Sequence, residues 1–315
     1  MLVSYKHAIE ARNLQREESL TAKEAAIRLK QKYKFPQEPQ TIERRIRGLF
    51  KQLTPSIAEL PDVTPRIPPD VWVKFQPWMT LADIHAPNYH KDALTDALLM
   101  AKERKIKMAI LPGDFVDNAE HSHYPDEARV SGQEAVSEII HQVYLTLLAI
   151  TDTFETVYIV RGNHDDRLAR KLDKNLGMTD MYKIFTTPPK GSGLPNLYDR
   201  LNIVERYHMY VEGSPTGDWL VAHQLNFSSV RTKVASDLAG QHEINVITSH
   251  IHDLGITTSR TKSRHFAVAP GCLADENKMS YKVMRVSTHA PWVLGWAIIN
   301  EHGLPEVFHY AKSYR

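Results

Sequence analysis

Lys107-Met108-Ala109-Ile110-Leu111-Pro112-Gly113-Asp114-Phe115-Val116-Asp117 decides the fold. An apolar run this short, with large aliphatic residues and a stop at proline and glycine, reads as a buried strand. It delivers two carboxylates just past its end. The pattern repeats at Thr156 to Val160, which runs out into Arg161-Gly162-Asn163-His164-Asp165. Helical periodicity fills the space before and between them, over Asp92 to Lys105 and Gln133 to Ile150. Strand, polar loop, helix and strand again imply an α/β domain whose polar residues gather at the carboxyl ends of strands.

Outward from this centre, Trp72 to Asp83 reads as one apolar strand. The second half is richer in strand, with candidates at Tyr207–Glu212, Trp219–His223, Ile244–Ser249, His265–Ala269, Trp292–Ile299 and Glu306–Tyr310. Five polar clusters follow strand ends: Asp83-Ile84-His85, Gly113-Asp114 with Asp117, Gly162-Asn163-His164-Asp165, Ala222-His223, and His250-Ile251-His252. A lone Asp-X-His arises often by chance, and a lone His-X-His is commonly a surface pair; five such clusters in sequence are a strong signal. Side chains at i and i+2 of an extended segment share a face, so Asp83 with His85, and His250 with His252, can point into one site. Mixed carboxylate and imidazole donors suit divalent metals. Two such metals about 3.5–4 Å apart can clamp a phosphate and generate a nucleophile from water. Glycines before Asp114 and Asn163 allow tight turns and close backbone approach to a ligand.

In these five blocks, over about 230 residues from Asp83 onward, the sequence resembles the calcineurin-like metallophosphoesterases, with the nearest likeness to bacterial and phage branches. The resemblance implies a four-layer α/β/β/α sandwich with two mixed β-sheets. It implies two divalent metals, Mn²⁺ in vitro with Fe, Zn, Co or Ni as alternatives. One metal would be held by Asp83, His85 and His252, the second by Asn163, His223 and His250, and Asp114 would bridge them. His164 would be the catalytic imidazole that protonates the leaving oxygen, and Asp117 would orient it. A metal-activated hydroxide would attack the phosphoester. Arg161 and Arg167 flank the third block and are candidate substrate contacts. Asn118, Gln224 and Ser249 depart from the Ser/Thr phosphatase pattern and argue against that branch. His121 and His123 read as solvated loop histidines, and Asp165 as a residue that holds its turn. Basic residues between 168 and 206, Lys183 and Arg200 among them, suggest a wall suited to a phosphate-rich substrate.

The N-terminal segment has a different character. Residues 1–53 carry 12 Lys+Arg against 6 Asp+Glu, a surplus of 6 positive charges, while the remainder holds 27 against 31. Such asymmetry suits a head that meets a polyanion, although a solvated helical face has the same composition. Thr21 with Glu24 makes a capping-box pattern. After a break at Phe35–Pro39, Thr41 to Leu53 has an apolar stripe of Ile42, Ile46, Leu49 and Phe50 and a basic face of Arg44, Arg45, Arg47 and Lys51. This small all-α unit is helix-turn-helix-like, and the basic face is the candidate DNA contact. Its break is longer than a tight helix-turn-helix turn, and a packing or dimerisation arm is the other reading. Residues 54–70 hold five prolines and read as a semi-rigid linker, so 71–315 is the expected phosphoesterase domain.

Composition bounds the rest. The chain has 315 residues, is 42% hydrophobic and has 1 cysteine, Cys272, which excludes disordered and disulfide-rich classes. The longest near-apolar run, Pro291 to Ile299, is far below the ~20 residues a membrane helix needs. With no signal-peptide pattern at the N-terminus, a cytoplasmic protein is expected. Three functions are open on the sequence: a phosphodiesterase or nuclease acting on nucleic acid, a phosphomonoesterase with the head as a targeting or oligomerisation arm, and a DNA-binding regulator with an inert body. Oligomeric state is not legible.

Overall fold

The computed structural model describes residues 3, 5–18, 20–53, 68–118, 136–172, 176–279, 282 and 292–311. The chain divides into two compact units, Met1–Ile67 and Pro68–Arg315. Residues 54–67 of the expected linker, and His121 and His123, lie outside the described residues.

The first unit is a three-helix bundle of α1 (Tyr5–Glu17), α2 (Ala22–Tyr33) and α3 (Pro39–Leu53). Ala8, Ala11, Ala25, Ala26, Leu29, Phe35, Ile42 and Ile46 form its core. The α2 start is fixed by the capping box: Glu24 Oε2 accepts from Thr21 N at 2.8 Å, and Thr21 Oγ1 accepts from Glu24 N. At the other end Lys34 enters the left-handed region (φ 51°) and Phe35 turns into the core. Helix α3 starts at Pro39, two residues before the expected Thr41, because proline at the first helical position forfeits no hydrogen bond. Arg44, Arg45 and Arg47 are exposed on it, with Arg47 paired to Glu43 at 2.6 Å; Lys51 lies in its last turn.

The second unit has two six-stranded sheets. One runs β1-β6-β7-β8-β10-β9 and the other β12-β11-β2-β3-β4-β5, both with parallel and antiparallel neighbours. The strands are β1 (Trp72–Lys74), β2 (Trp78–Thr80), β3 (Met108–Pro112), β4 (Thr156–Val160), β5 (Leu201–Val204), β6 (His208–Glu212), β7 (Trp219–Ala222), β8 (Asn245–Thr248), β9 (Leu254–Thr258), β10 (Phe266–Pro270), β11 (Gly295–Ile299) and β12 (Pro305–His309). Side-chain alternation sorts the core into layers. Met108 and Ile110 of β3 join Trp78, Trp219, Val221, Ile247 and Val268 between the sheets. Ala109 and Leu111 face the other way, toward the helices α4 (Lys91–Glu103), α5 (Val136–Thr151), α6 (Asp166–Leu172) and α7 (Met178–Thr186). Helix α8 (Lys233–His242) covers the far face of the first sheet through Ala235 and Ala239. This is the four-layer α/β/β/α sandwich.

Several sequence expectations need correction. Trp72 to Asp83 is not one strand. It splits into β1 and β2, which belong to different sheets, with Pro77 between them, a residue that cannot donate to a ladder. Trp292–Ile299 shortens to β11, since the backbone of Val293 bonds to His252 and Cys272 instead of continuing the ladder. The basic stretch after the third block contains α6, α7 and β5. There Lys183 pairs with Asp180, and Arg200 with Asp152 and the Thr151 carbonyl, so both cations have partners on the helical layer. Pro68 and Asp70, read as linker, are held to the second unit by Arg206.

Candidate metal centre

Five strand ends, those of β2, β3, β4, β7 and β8, bring the polar clusters together. The loop after β2 zips onto the loop after β3: His85 N donates to Asp114 O (3.0 Å), Ala86 N to Phe115 O (2.7 Å) and Asp117 N to Ala86 O (3.1 Å). Two glycines let the loops approach this closely. A Cβ on Gly162 would lie 2.0 Å from Asp114 N, and one on Gly113, which has φ +82°, would lie 2.5 Å from the His223 ring. The close approach foreseen for these glycines is therefore to the protein's own groups. Five of the seven expected ligands are themselves left-handed: Asp83 (φ 46°), His85 (51°), Asp114 (50°), His250 (86°) and His252 (55°). Non-glycine residues hold this region at a cost of about 1–3 kcal/mol each, which the surrounding packing must offset.

Donor atoms of Asp83, His85 and His252 lie within 4.8 Å of one another, and so do those of Asp114, His223 and His250. Asp114 Oδ2 stands 3.9 Å from His85 Nε2 and 3.4 Å from His223 Nε2, so one oxygen faces a nitrogen of each group. Asn163 Oδ1 is 2.9 Å from His223 Nε2. A third group joins His85, Asp117 and His164. Asp117 Oδ1 lies 2.8 Å from His164 Nδ1 and 3.1 Å from His85 Nδ1, and Asn88 donates to its other oxygen. The expected Asp117–His164 contact is present, and sequence reasoning missed that the same carboxylate also holds His85. On His223, Nδ1 faces the Pro112 carbonyl and Ser249 Oγ, both at 3.0 Å. Ser249, a departure from the family pattern, thus orients a histidine. Its own hydroxyl donates to Pro112 O.

The residues suit a divalent cation by an internal test. Asp83 Oδ1 and His85 Nε2 are buried and have no hydrogen-bond partner among the described residues, and both belong to the first donor group. A histidine that gives one ring nitrogen to a carboxylate or carbonyl and leaves the other bare is the usual form of a ligand. Electrostatics agree. Burial opposes ionisation of Asp114, but the His223, His164 and His85 rings outweigh it and hold the carboxyl well below its ordinary range. Asp83 is likewise lowered against burial, by His252 and His223, and Asp117 by its bonds to His164 and His85. Burial lowers His250 to about 4 and also lowers His252, which keeps these imidazoles neutral. Ionised carboxylates beside neutral imidazoles are the ligating forms.

The two arginines fare differently. Arg167 Nη2 is 3.0 Å from His164 Nε2, at the centre of the site. Arg161 is tied down: its Nε donates to both Asp166 oxygens (2.8 and 3.0 Å) and its Nη1 to Glu205 O. Asp165 accepts from Val116 N (2.9 Å) and Gly162 N (3.0 Å), which fastens the second loop to the third. Burial, with Asp114 adding to it, pushes Asp165 up to about 7.

A family model described as calcineurin-like phosphoesterase matches residues 79–271, more than half of the chain. The chain belongs to this family and is a metal-dependent phosphoester hydrolase. Similar solved structures include a novel archaeal phosphodiesterase, at 11% identity and TM-score 0.41 over 75% of this chain and 100% of that one. Wild-type Vps29 complexed with Zn²⁺ from Entamoeba histolytica gives 14% identity and TM-score 0.35 over 75% and 98%. The Pseudomonas putida nuclease MPE gives 12% and 0.31 over 69% and 83%. No curated protein matches the sequence. Among the described residues, no helix is long and apolar enough to cross a membrane.

Proposed function

We propose that the chain is a dinuclear phosphodiesterase acting on nucleic acid, with its N-terminal three-helix unit contacting DNA. The observation that supports the hydrolytic part best is Asp114 Oδ2, set between His85 Nε2 and His223 Nε2. Asp83, His85 and His252 would hold one divalent cation and Asn163, His223 and His250 the other, with Asp114 available to both. When bound, two such cations draw charge from the phosphoryl oxygens and lower the pKa of water toward neutrality. Mn²⁺ would be the ion to supply in vitro, and mixed oxygen and nitrogen donors would also accept Fe, Zn, Co or Ni. His164, with Nδ1 turned to Asp117, would take a proton from solvent at Nε2 once Arg167 leaves that nitrogen, and pass it to the leaving oxygen. Arg167 releases that nitrogen and turns its guanidinium to a phosphoryl oxygen when substrate arrives. Arg161 has no part in this, because Asp166 holds it.

The nucleic-acid assignment rests on the head. Its surplus of positive charge is concentrated there, and Arg44 and Arg45 stand exposed on α3. The test is hydrolysis of para-nitrophenyl phosphate and its bis-ester, side by side, with Mn²⁺ and with EDTA. Metal-dependent preference for the bis-ester is the expected result. Preference for the monoester makes the protein a phosphatase and the head a targeting arm.

A further inference from the structure

One aromatic residue outside the five motifs lies against the first donor group. Trp292 precedes β11, and its ring centroid is 3.9 Å from that of His252, with the planes at 89°. It is also 6.2 Å from the His85 ring, with the planes only 22° apart. The backbone repeats the association, since Val293 N donates to His252 O at 3.0 Å. The indole is itself anchored. Trp292 N donates to Glu276 Oε2, and Lys282 Nζ sits 5.0 Å from the ring centroid and 3.6 Å from the same Glu276 oxygen. Perpendicular aromatic contacts resist rotation of either ring. A histidine that swings about its χ2 angle carries its nitrogens off the metal, so whatever blocks that swing sets affinity.

The second donor group is framed in another way. His223 is fixed by hydrogen bonds to Pro112 and Ser249, and His250 is half-buried and packs on His223 at 5.0 Å. We propose that Trp292 is a positioning residue for the Asp83, His85 and His252 metal position: its indole locks the His252 imidazole in its ligating orientation, beside a His85 ring already held by Asp117, and makes this position the tighter of the two. This rests on the metal reading given above.

The experiment uses the full chain stripped with EDTA and titrated with Mn²⁺ alone. Free Mn²⁺ is counted by its electron paramagnetic resonance signal, and tryptophan emission is followed in parallel. Wild type is expected to bind two equivalents with unequal affinity. Trp292→Ala should weaken the tighter one about 10-fold, the lower end of what loss of a residue supporting a metal ligand costs, and leave the other unchanged. Trp292→Phe should restore most of the affinity. It should also lose a large share of the Mn²⁺ quenching of emission, because the nearest indole is gone. A Trp292→Ala isotherm identical to wild type overturns the proposal. So does loss of both equivalents together with no rescue by phenylalanine, which would mark the indole as general packing. Wild type that binds no Mn²⁺ at all overturns the metal reading itself, and is told apart because the defect precedes any substitution.

Discussion

Asp117 Oδ1 serves both His85 and His164, so its replacement disturbs metal retention and proton delivery together. Asp117→Asn should weaken metal binding by about 10–100-fold, and a Mn²⁺ titration reads this directly. His164→Ala should leave metal content intact and lower the rate by about 10²–10⁴-fold. The two variants separate the roles, since in the first added metal recovers part of the rate and in the second it recovers none. Gly162 gives a steric prediction at the same scale. Its absent Cβ leaves room for the Asp114 backbone, at 2.0 Å from where that atom would be. Gly162→Ala should therefore displace the second loop and abolish both metal binding and hydrolysis. Gly48 on α3, whose Cβ would meet nothing within 4 Å and whose φ lies outside the left-handed region, serves as the control for a glycine replaced in open space.

Elements differ in how well the chain announces them. The β3 and β4 runs were legible because an apolar strand ends in a loop of polar residues, a pattern with few alternatives. Helix α7 was not, although Met178, Met181, Tyr182 and Phe185 lie at helical spacing and are buried; the lysines around it drew the reading toward a basic wall. The β1–β2 break was hidden because an apolar run does not say which sheet receives it. The clustered carboxylates and imidazoles were legible as residue types, whereas the placement of Trp292 and Ser249 was not, since nothing local marks a residue whose partner lies far along the chain. Tyr207 belongs to this class. Its hydroxyl donates to Asp166 at 2.6 Å, and burial with that bond pushes the phenol up to about 12. A raised pKa means the bond stabilises fully below the ordinary tyrosine range near 10 and is lost as pH climbs through about 12. Ultraviolet titration should find Tyr207 among the late-ionising phenols, with buried Tyr182 raised still further, and Tyr207→Phe should remove one of them. That substitution should cost about 2 kcal/mol, as expected for a hydrogen bond to a charged group.

At the scale of the whole molecule, the separate core of residues 3–49 makes the head a unit with its own stability. Leu29 is fully buried there, so Leu29→Ala should cost about 2–5 kcal/mol, and calorimetry should show that loss in one of two transitions. The same separation makes the DNA assignment testable without touching the metal centre. Arg44 and Arg45 are exposed on α3, while Arg47 is already paired with Glu43. If α3 neutralises phosphates, affinity for duplex DNA falls steeply with salt, by a slope of about −0.9 per phosphate contacted. Arg44→Glu with Arg45→Glu should flatten that slope by about 2 and weaken binding at low salt. Hydrolysis of the bis-ester should be unchanged, because that small substrate needs only the second unit. A DNA isotherm indifferent to both the salt and the charge reversal assigns the head to packing or assembly and leaves the phosphoester hydrolase to find its substrate unaided.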